Sequence, residues 1–264
     1  MRASTLKSSD GVEDPGQAAL PGGKADFLQE SAFQTARREA FEEIGLPNDD
    51  AKLPEPFYME HICELPTYLA RTELGVRPCV AFLHPKEEAV NSDVNAEEAL
   101  MPRLDAKEVA AVFSAPFHNF LKERDEILQE GDEGSVNNPS GWYEGSWTEW
   151  HEAPWRMHHF YVPVTGHPVT KPKSKSKRRK DIIEKPGVVR EPGQLTRYRV
   201  FGMTARILVD AARLAHAEDP EFEHNSHFGD EDMIKRLRKT GKMSAKRSAS
   251  DELKTEDLVK AAKI

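Results

Sequence analysis

The 264-residue sequence contains only two cysteines, Cys63 and Cys79, and no apolar run that approaches the length of a membrane-spanning helix. Two isolated cysteines do not make a disulfide framework, which excludes the class of small disulfide-rich secreted proteins. Residues 1–16 lack the apolar core of a secretory signal. These absences predict an intracellular protein with two small buried thiols and no membrane span.

The chain also lacks an excess of positive charge. Its 37 Lys and Arg residues stand against 45 Asp and Glu residues, which gives a formal net charge of −8 at pH 7. Binding nucleic acid through the overall field of a protein requires the opposite sign, so we predict no nucleic-acid partner. The apolar fraction is 38% and the charged fraction 31%. This composition predicts that part of the length is solvated loop or tail.

The apolar pattern predicts one folded domain of the α/β class over residues 16–217. We predict strands at 18–20, 57–65, 76–83, 156–164 and 198–203, helices at 31–44, 117–129 and 204–217, and either structure at 106–113. The third helix is expected to bury Ile207, Leu208, Ala211, Leu214 and Ala215.

Three segments are predicted to lie outside regular structure. Residues 1–15 are polar and contain glycine and proline, which indicates an irregular N-terminal segment. The basic run KPKSKSKRRK at 171–180 indicates a flexible insertion within the domain. Residues 218–264 are predicted to form a charged tail that is unfolded from about Arg238, because few large apolar residues remain there.

The helix predicted at 31–44 is the most informative segment. Ser31 and Gln34 form a capping box at its start, and Gly45 marks its end. Glu39, Glu42 and Glu43 lie at positions i, i+3 and i+4, so three carboxylates crowd one face. Each like-charged pair costs about 0.2–0.5 kcal/mol. The helix dipole adds about 0.3–1 kcal/mol per acid near the C-terminal end.

Arg38, four residues before Glu42, offsets only part of this repulsion. An isolated pair of glutamates would indicate no more than a solvated acidic surface. Here the acids follow a Gly22-Gly23 turn, a capped helix start and Glu30, and this combination indicates a functional site. Hard carboxylate oxygens suit Mg²⁺ or Mn²⁺, so we predict that one of these ions supplies the missing compensation.

These residues resemble the Nudix box, written GX5EX7REUXEEXGU. The matching segments are Pro21-Gly22-Gly23-Lys24, Glu30 and Arg38-Glu39-Ala40-Phe41-Glu42-Glu43-Ile44-Gly45-Leu46. Six residues rather than five separate Gly23 from Glu30, and this longer loop resembles the coenzyme A diphosphatase branch of the family, including its fungal peroxisomal members. Further similar segments lie at 63–66, 77–83, 108–109 and 201–206.

The resemblance implies a Nudix fold, with a mixed sheet between helices, and hydrolysis of the diphosphate of coenzyme A or acyl-CoA. The products would be 4′-phosphopantetheine and adenosine 3′,5′-bisphosphate. The implied alternatives are another Nudix substrate, such as ADP-ribose, an oxidised nucleotide or a dinucleotide, and a non-catalytic Nudix-like binding protein. Because the branch has sheet strands ahead of this region, the resemblance also leads us to expect a chain shortened at its N-terminus.

The resemblance further implies roles for individual residues. Glu39, Glu42 and Glu43 would bind the metal ions, and the general base would be Glu42, Glu43 or a carboxylate outside the box such as Glu108. Arg38 would orient the glutamates, and Glu30 would be a supporting ligand or loop anchor. Gly22 and Gly23 are expected to adopt positive φ and to bring the backbone close to the metal. Lys24 and Arg77 are candidates for a contact to the 3′-phosphate.

Four other signals are interpreted more plainly. His158-His159 and His224–His227 lack the further ligand spacing of a zinc site. Four tryptophans within residues 142–155 favour a hairpin on the core over an adenine-stacking platform. The basic run favours an insertion over a nuclear signal or a phosphate-binding strip. Ala262-Lys263-Ile264 is a near match to the SKL-type peroxisomal address, which predicts a peroxisomal location, or the cytoplasm otherwise.

Overall fold

The computed structural model describes residues 4–7, 18–70, 74–86, 100, 109–126, 141–150, 153–163, 169–170, 197–243 and 253–264. In these ranges the strands are Ser4–Lys7 (β1), Ala18–Ala19 (β2), Phe57–Glu64 (β3), Tyr68–Leu69 (β4), Gly75–Val76 (β5), Cys79–Pro85 (β6), Val109–Phe113 (β7), Tyr143–Trp150 (β8), Ala153–Pro163 (β9), Val169–Thr170 (β10) and Arg197–Phe201 (β11). The α-helices are Ala32–Ile44 (α1), Gly202–His216 (α2), Glu231–Lys239 (α3) and Thr255–Ala262 (α4). Short 3-10 helices span Asp50–Lys52 and His118–Leu121.

The strands form small antiparallel sheets between the helices. One sheet has the order β10-β7-β1-β2, a second has the order β11-β9-β8, and β3-β6 and β4-β5 form two-stranded ribbons. Helix α1 contacts β3, β6 and β7, whereas α2 contacts β9 and β11. The predicted α/β class is confirmed. None of the helices in the described part of the chain is long and apolar enough to cross a membrane.

The largest core cluster lies where α2 covers the β11-β9-β8 sheet. Trp142 and Phe160 are fully buried there, and the Trp142 indole N–H donates to the Asn119 carbonyl over 3.1 Å. Trp147, by contrast, remains 47% exposed on the outer surface of the hairpin. The predicted hairpin is confirmed, because β8 and β9 pair from Tyr143 to Trp150 and Trp142 anchors the start of β8 in the core.

Two predicted elements have different limits. The strand predicted at 76–83 is divided at Arg77 and Pro78 into β5 and β6. The helix predicted at 117–129 is wrong, since only His118–Leu121 is helical among the described residues 117–126. The backbone becomes extended at Lys122, and the Leu121 carbonyl there accepts the Glu221 backbone N–H over 2.8 Å, which ties the end of the short helix to a distant segment. Residues 127–140 lie outside the described part.

Helix α2 begins earlier than predicted and buries a different set of residues, which includes Arg206 and Asp210. Ala205, Val209 and Ala212, at i, i+4 and i+7, point into the core and are almost wholly buried. Ile207 and Ala211 are buried as predicted, and Leu208 is partly buried. Leu214 is 55% exposed and Ala215 is exposed, contrary to prediction. Leu214 shares its helix face with Ile207, seven residues earlier, but Ile207 packs against Leu65 and Tyr68, whereas Leu214 lies in the last turn of the helix.

The chain ends also depart from the expectation of irregular structure. Ser4–Lys7 form β1, which pairs with both β2 and β7. Helices α3 and α4 pack together through the buried residues Ile234, Leu237, Leu258 and Ala261. Each helix presents an i, i+3 apolar pair, and two such short helices stabilise each other by burying these faces. The prediction that the chain is unfolded from about Arg238 is therefore wrong for residues 253–264, whereas the insertion at 171–180 lies outside the described residues.

The two cysteines do not form the predicted pair of buried thiols. Cys63 is exposed, and only Cys79 is partly buried. Cys63 lies opposite Val80 and Cys79 opposite Glu64, so the two side chains project from opposite faces of the β3-β6 ribbon. Burial raises the pKa of Cys79 to about 11. Both thiols are free.

Candidate metal and diphosphate site

Helix α1 carries the candidate site and is held firmly at both ends. The Gln34 N–H donates to Ser31 Oγ over 3.2 Å, and the Ser31 N–H donates to Gln34 Oε1 over 2.9 Å. At the other end Gly45 adopts φ 76° and donates its N–H to the Phe41 carbonyl over 3.0 Å. The predicted capping box and glycine stop are confirmed, and Ala40 and Ile44 fix the helix to β7 by packing against Val109 and Val112.

The Arg38 guanidinium is the centre of the site. Its Nε donates to Glu30 Oε1 over 2.9 Å, and its Nη1 reaches Glu39 Oε1 at 3.0 Å and Glu42 Oε2 at 3.4 Å. Asp26 lies 3.3 Å from Nε. One cation thus gathers acids from the loop and from the helix, and it holds Glu39 and Glu42 side by side despite their mutual repulsion.

The loop at 24–30 is tied to α1 through the same arginine. Arg38 Nη2 donates to the Lys24 carbonyl over 2.9 Å. Glu30 accepts the Asp26 N–H over 2.7 Å, and the Glu30 N–H donates to the Phe27 carbonyl over 3.1 Å. The Glu30 side chain is only 4% exposed. These contacts give the six-residue spacer a defined turn, in which both Glu30 oxygens serve as acceptors.

The hydrogen bonds between Glu30 and Arg38 shift the pKa values of both groups. The bond from Arg38, followed by that from the Asp26 backbone N–H, holds the pKa of Glu30 below its usual value. Glu30 in turn raises the pKa of Arg38. Both groups therefore keep their charge throughout the neutral and mildly acidic range, and the loop anchor persists there.

Gly23 is required by a close approach, and the expected backbone conformation is wrong. Neither Gly22 nor Gly23 has a positive φ. A Cβ atom built on Gly23 would overlap the Glu39 carboxylate, with Glu39 Cδ only 2.6 Å away. At Gly22 the nearest atom to such a Cβ is the Leu20 carbonyl oxygen at 3.9 Å. The absent side chain at Gly23 therefore makes room for a site glutamate.

The three helix glutamates differ sharply in their surroundings. The Glu39 side chain is 16% exposed and that of Glu42 is 55% exposed, whereas Glu43 is 1% exposed. Carboxylate oxygens are the donors that hard divalent ions prefer, so the chemistry of the set fits Mg²⁺ or Mn²⁺. Across the described ranges, however, no group of three His, Cys, Asp or Glu side chains is gathered closely enough to form a metal site.

Lys24, Arg77 and Glu108 are the remaining site residues predicted from the sequence. Lys24 has an exposed side chain and offers its carbonyl to Arg38. Arg77, half exposed, lies 3.5 Å from Glu64 and donates to the Thr67 hydroxyl. Glu108 lies outside the described residues. Asp26 was not among the predicted site residues, although its position four residues before Glu30 was the available signal.

Comparison with known proteins shows the family. No protein-family profile matches the chain. It is 30% identical over 246 residues to the peroxisomal coenzyme A diphosphatase 1 of Saccharomyces cerevisiae, an alignment that covers 88% of this chain and 68% of the yeast protein. It is 28% identical over 218 residues to the chloroplastic Nudix hydrolase 22 of Arabidopsis thaliana, covering 83% of this chain and 51% of the plant protein.

The chain belongs to the Nudix hydrolase family, an enzyme class that acts on diphosphate bonds. A peroxisomal coenzyme A diphosphatase of Mus musculus is a further relative, 31% identical over 117 residues, which cover 44% of this chain and 41% of the mouse protein. The family predicted from the box is confirmed. The roles of the individual box residues and the limits of the domain remain predictions.

Proposed function

We propose that the protein is a metal-dependent diphosphatase that hydrolyses coenzyme A or an acyl-CoA to 4′-phosphopantetheine and adenosine 3′,5′-bisphosphate. Support for the reaction comes from one observation above all. Arg38 holds Glu39 and Glu42 together beside Gly23, at the junction of the loop and the helix. Support for the substrate comes from the six-residue spacer and from the names of the yeast and mouse relatives.

In this proposal Glu39, Glu42 and Glu43 would hold Mg²⁺ or Mn²⁺. When bound, the ion would neutralise the diphosphate and lower the pKa of an attacking water. Arg38 acts as a positioning residue, because it contacts Glu39 and Glu42 and also the loop carbonyl of Lys24. Glu30 is the loop anchor, since its oxygens are already engaged by Arg38 and by the Asp26 N–H.

The general base must reach the water that attacks the diphosphate. Glu42 is 55% exposed, so it can contact both water and substrate. Glu43 is almost fully buried, which suits a ligand better than a base that exchanges protons with solvent. We therefore assign the general base to Glu42, with Glu108 as the alternative outside the box.

The loop at 24–30, which Arg38 binds, also presents apolar surface. Phe27 is 58% exposed and Leu28 is 91% exposed. Both follow directly after Asp26 on the turn that Arg38 and Glu30 fix. These two side chains can cover part of the flexible acyl or pantetheine group that extends from the diphosphate. This feature favours acyl-CoA over a substrate made of two nucleotides.

The test is turnover of a panel of diphosphates with Mg²⁺ or Mn²⁺: coenzyme A, a long-chain acyl-CoA, ADP-ribose, an oxidised nucleotide and a dinucleotide. We expect the two coenzyme A compounds to be preferred, and Glu42→Gln to lower kcat by at least about 10²-fold. Glu149→Gln, on the exposed surface of β8, is the matched control and should leave kcat unchanged. Equal rates on ADP-ribose would overturn the substrate assignment alone. No turnover by folded protein would indicate a non-catalytic binding protein.

We also propose that the protein acts in peroxisomes. Support comes from the yeast and mouse relatives, both named as peroxisomal, and from the similarity of Ala262-Lys263-Ile264 to the SKL-type address. A fluorescent tag at the N-terminus leaves these residues accessible and should mark peroxisomes. A diffuse cytoplasmic signal from intact tagged protein would refute the proposal.

A further inference from the structure

A continuous chain of buried hydrogen bonds crosses the domain away from the candidate site. The Tyr143 hydroxyl lies 3.0 Å from His158 Nδ1, and His158 Nε2 lies 2.8 Å from His224 Nδ1. His224 Nε2 then lies 2.8 Å from Asp210 Oδ1, and the Tyr68 hydroxyl donates to Asp210 Oδ2 over 2.7 Å. His158, Asp210 and Tyr68 are fully buried, and the His224 side chain is 4% exposed.

Only one arrangement of protons satisfies every link of this chain with neutral imidazoles. An ionised carboxylate accepts only, so Asp210 fixes the His224 proton on Nε2. The bare Nδ1 of His224 must then accept the N–H of His158 Nε2. The bare Nδ1 of His158 accepts the hydroxyl proton of Tyr143, and all three bonds therefore run in one direction, towards Asp210.

The chain joins an irregular segment to the core, to which the buried Phe222 and the Arg206–Asp230 pair also hold it. Tyr143 and His158 lie on the β8-β9 hairpin, Asp210 on α2 and Tyr68 on β4. His224 alone belongs to the segment 221–230, which is irregular and leads into α3. That segment makes few backbone bonds to the core, among them the N–H of Glu221 to the Leu121 carbonyl at 2.8 Å and the N–H of Asp230 to the Thr67 carbonyl at 2.7 Å.

An added proton disrupts this one-directional arrangement of hydrogen bonds. Protonated His224 would turn an Nδ1 donor towards the Nε2 donor of His158, so one of the two bonds must break or the His158 proton must move. A charge on His224 would face the Asp210 carboxylate 2.8 Å away, whereas a charge on His158 would be buried beside Arg156 and Arg206. Arg156, Arg206, His159 and Tyr143 act on or bond to His158, and Asp210 bonds to His224. The groups paired with these in turn are Glu223 with Arg156, Asp230 with Arg206, and Arg213 and Tyr68 with Asp210. Burial, followed by the nearby cationic groups, lowers the pKa of His158 to about 3.

We propose that the Tyr143–His158–His224–Asp210 chain is a proton-sensitive latch, which holds residues 221–230 on the core while His158 is neutral and releases them when His158 takes up a proton. Other histidines near the segment act in the opposite sense. His118 contacts Glu218 at 3.0 Å, and His227 lies 3.8 Å from Asp230. Protonation strengthens both pairs, so an acid-driven release of the segment cannot come from them.

Amide hydrogen exchange of the full chain tests the latch, with the Glu221 and Asp230 amides as reporters and the Leu65 amide, bonded to the Pro78 carbonyl, as reference. After correction for intrinsic rates, we expect protection of the reporters to fall by up to about tenfold per pH unit below about pH 6.5, where a released imidazole binds a proton. The reference amide should change far less. Reporter protection that stays constant down to pH 5 would overturn the proposal.

Matched variants separate the chain from other acid effects. His158→Gln replaces the buried imidazole with a neutral amide, and His224→Gln removes the ring to which His158 bonds, so the pH dependence of the two reporters should disappear. His159→Gln is the control, because His159 lies next to His158 on β9 but stacks on Phe201 outside the chain. In this variant the Glu221 and Asp230 amides should keep the wild-type pH dependence. Chain variants that keep that dependence contradict the latch.

A measurement on the wild-type protein covers the case in which the glutamine variants do not fold. Nitrogen-15 NMR of the imidazoles at pH 7.5 should find both His158 and His224 neutral, with the proton on Nε2. A proton on Nδ1 of either ring, or a doubly protonated ring at that pH, would overturn the one-directional chain and the latch with it.

Discussion

Replacement of Gly23 by alanine should damage the site while leaving the fold intact. Neither Gly22 nor Gly23 has a positive φ, so alanine suits the backbone at both positions. A Cβ at residue 23 would lie 2.6 Å from Glu39 Cδ, whereas ordinary contacts lie at 3.4–4 Å. The Glu39 carboxylate must therefore move by about 1 Å, away from its 3.0 Å bond with Arg38.

The size of the effect follows from this displacement. A shift of about 1 Å in a catalytic group costs about 10²-fold in rate, so we expect kcat of Gly23→Ala to fall by about that factor. Stability should change by no more than about 1 kcal/mol, because the loss of chain entropy in the unfolded state by itself favours alanine by about 0.4–1 kcal/mol. The Glu39 carboxylate is the far end of a flexible side chain and can shift, which limits the strain.

Gly22→Ala is the matched control. Its Cβ would meet only the Leu20 carbonyl oxygen, at 3.9 Å, so turnover and stability should both stay close to wild type. The assay is steady-state hydrolysis of coenzyme A with Mn²⁺, together with urea unfolding and Mn²⁺ binding for each variant. Equal activity of the two alanine variants, or equal loss in both, would refute the idea that Glu39 needs the space over Gly23.

Four further predictions follow from the contacts. Glu30→Gln should lower kcat by about tenfold, because the loop loses its charged anchor to Arg38, and circular dichroism should show an intact fold. His158 is neutral when folded with a pKa of about 3 and takes up a proton near pH 6.5 when unfolded, so the free energy of unfolding should fall by up to about 2 kcal/mol between pH 7.5 and pH 5, measured in urea. Leu237→Ala, at a fully buried contact between α3 and α4, should cost about 2–5 kcal/mol and expose both helices to proteolysis. The double change Phe27→Ser and Leu28→Ser should raise KM for long-chain acyl-CoA several-fold and leave stability within about 0.5 kcal/mol, since both side chains are exposed.

Each of these predictions has a contradicting result. Wild-type kcat in Glu30→Gln would remove the anchor role. A flat stability between pH 7.5 and pH 5 would contradict a buried neutral His158. A Leu237→Ala protein with unchanged proteolysis would mean that α3 and α4 do not depend on each other. An unchanged KM for acyl-CoA in the Phe27 and Leu28 variant, with activity retained, would remove the apolar pair from substrate binding.

Features encoded by near neighbours could be predicted from the sequence. Helix α1 begins at the Ser31–Gln34 capping box and ends at Gly45, because each cap depends on residues within one turn. The β8-β9 hairpin is similarly local. The family could also be predicted, because Gly23, Glu30, Arg38 and the helix glutamates resemble the Nudix box, a pattern that lies within one short stretch of chain.

Features that depend on partners distant in the chain could not be predicted from the sequence. Glu42 and Glu43 are neighbours on one helix, yet the first is half exposed and the second buried, because packing of α1 against β7 decides which side faces inwards. The short helix found within the predicted 117–129 ends at Leu121, where a backbone bond from Glu221 ties it to a distant segment. A contact across about a hundred residues leaves no periodic pattern in either segment.

The acidic helix that made the sequence interpretable was therefore determined by the sequence itself, through caps and spacing within one stretch of chain. Tertiary structure alone decided that Arg38 binds the loop carbonyl of Lys24, that Glu39 occupies the space over Gly23, and that His158 meets His224 and Asp210. The physical reason is that side-chain environment is set by which elements pack together. Local residue order specifies the elements, and only their packing brings the distant groups within hydrogen-bonding distance.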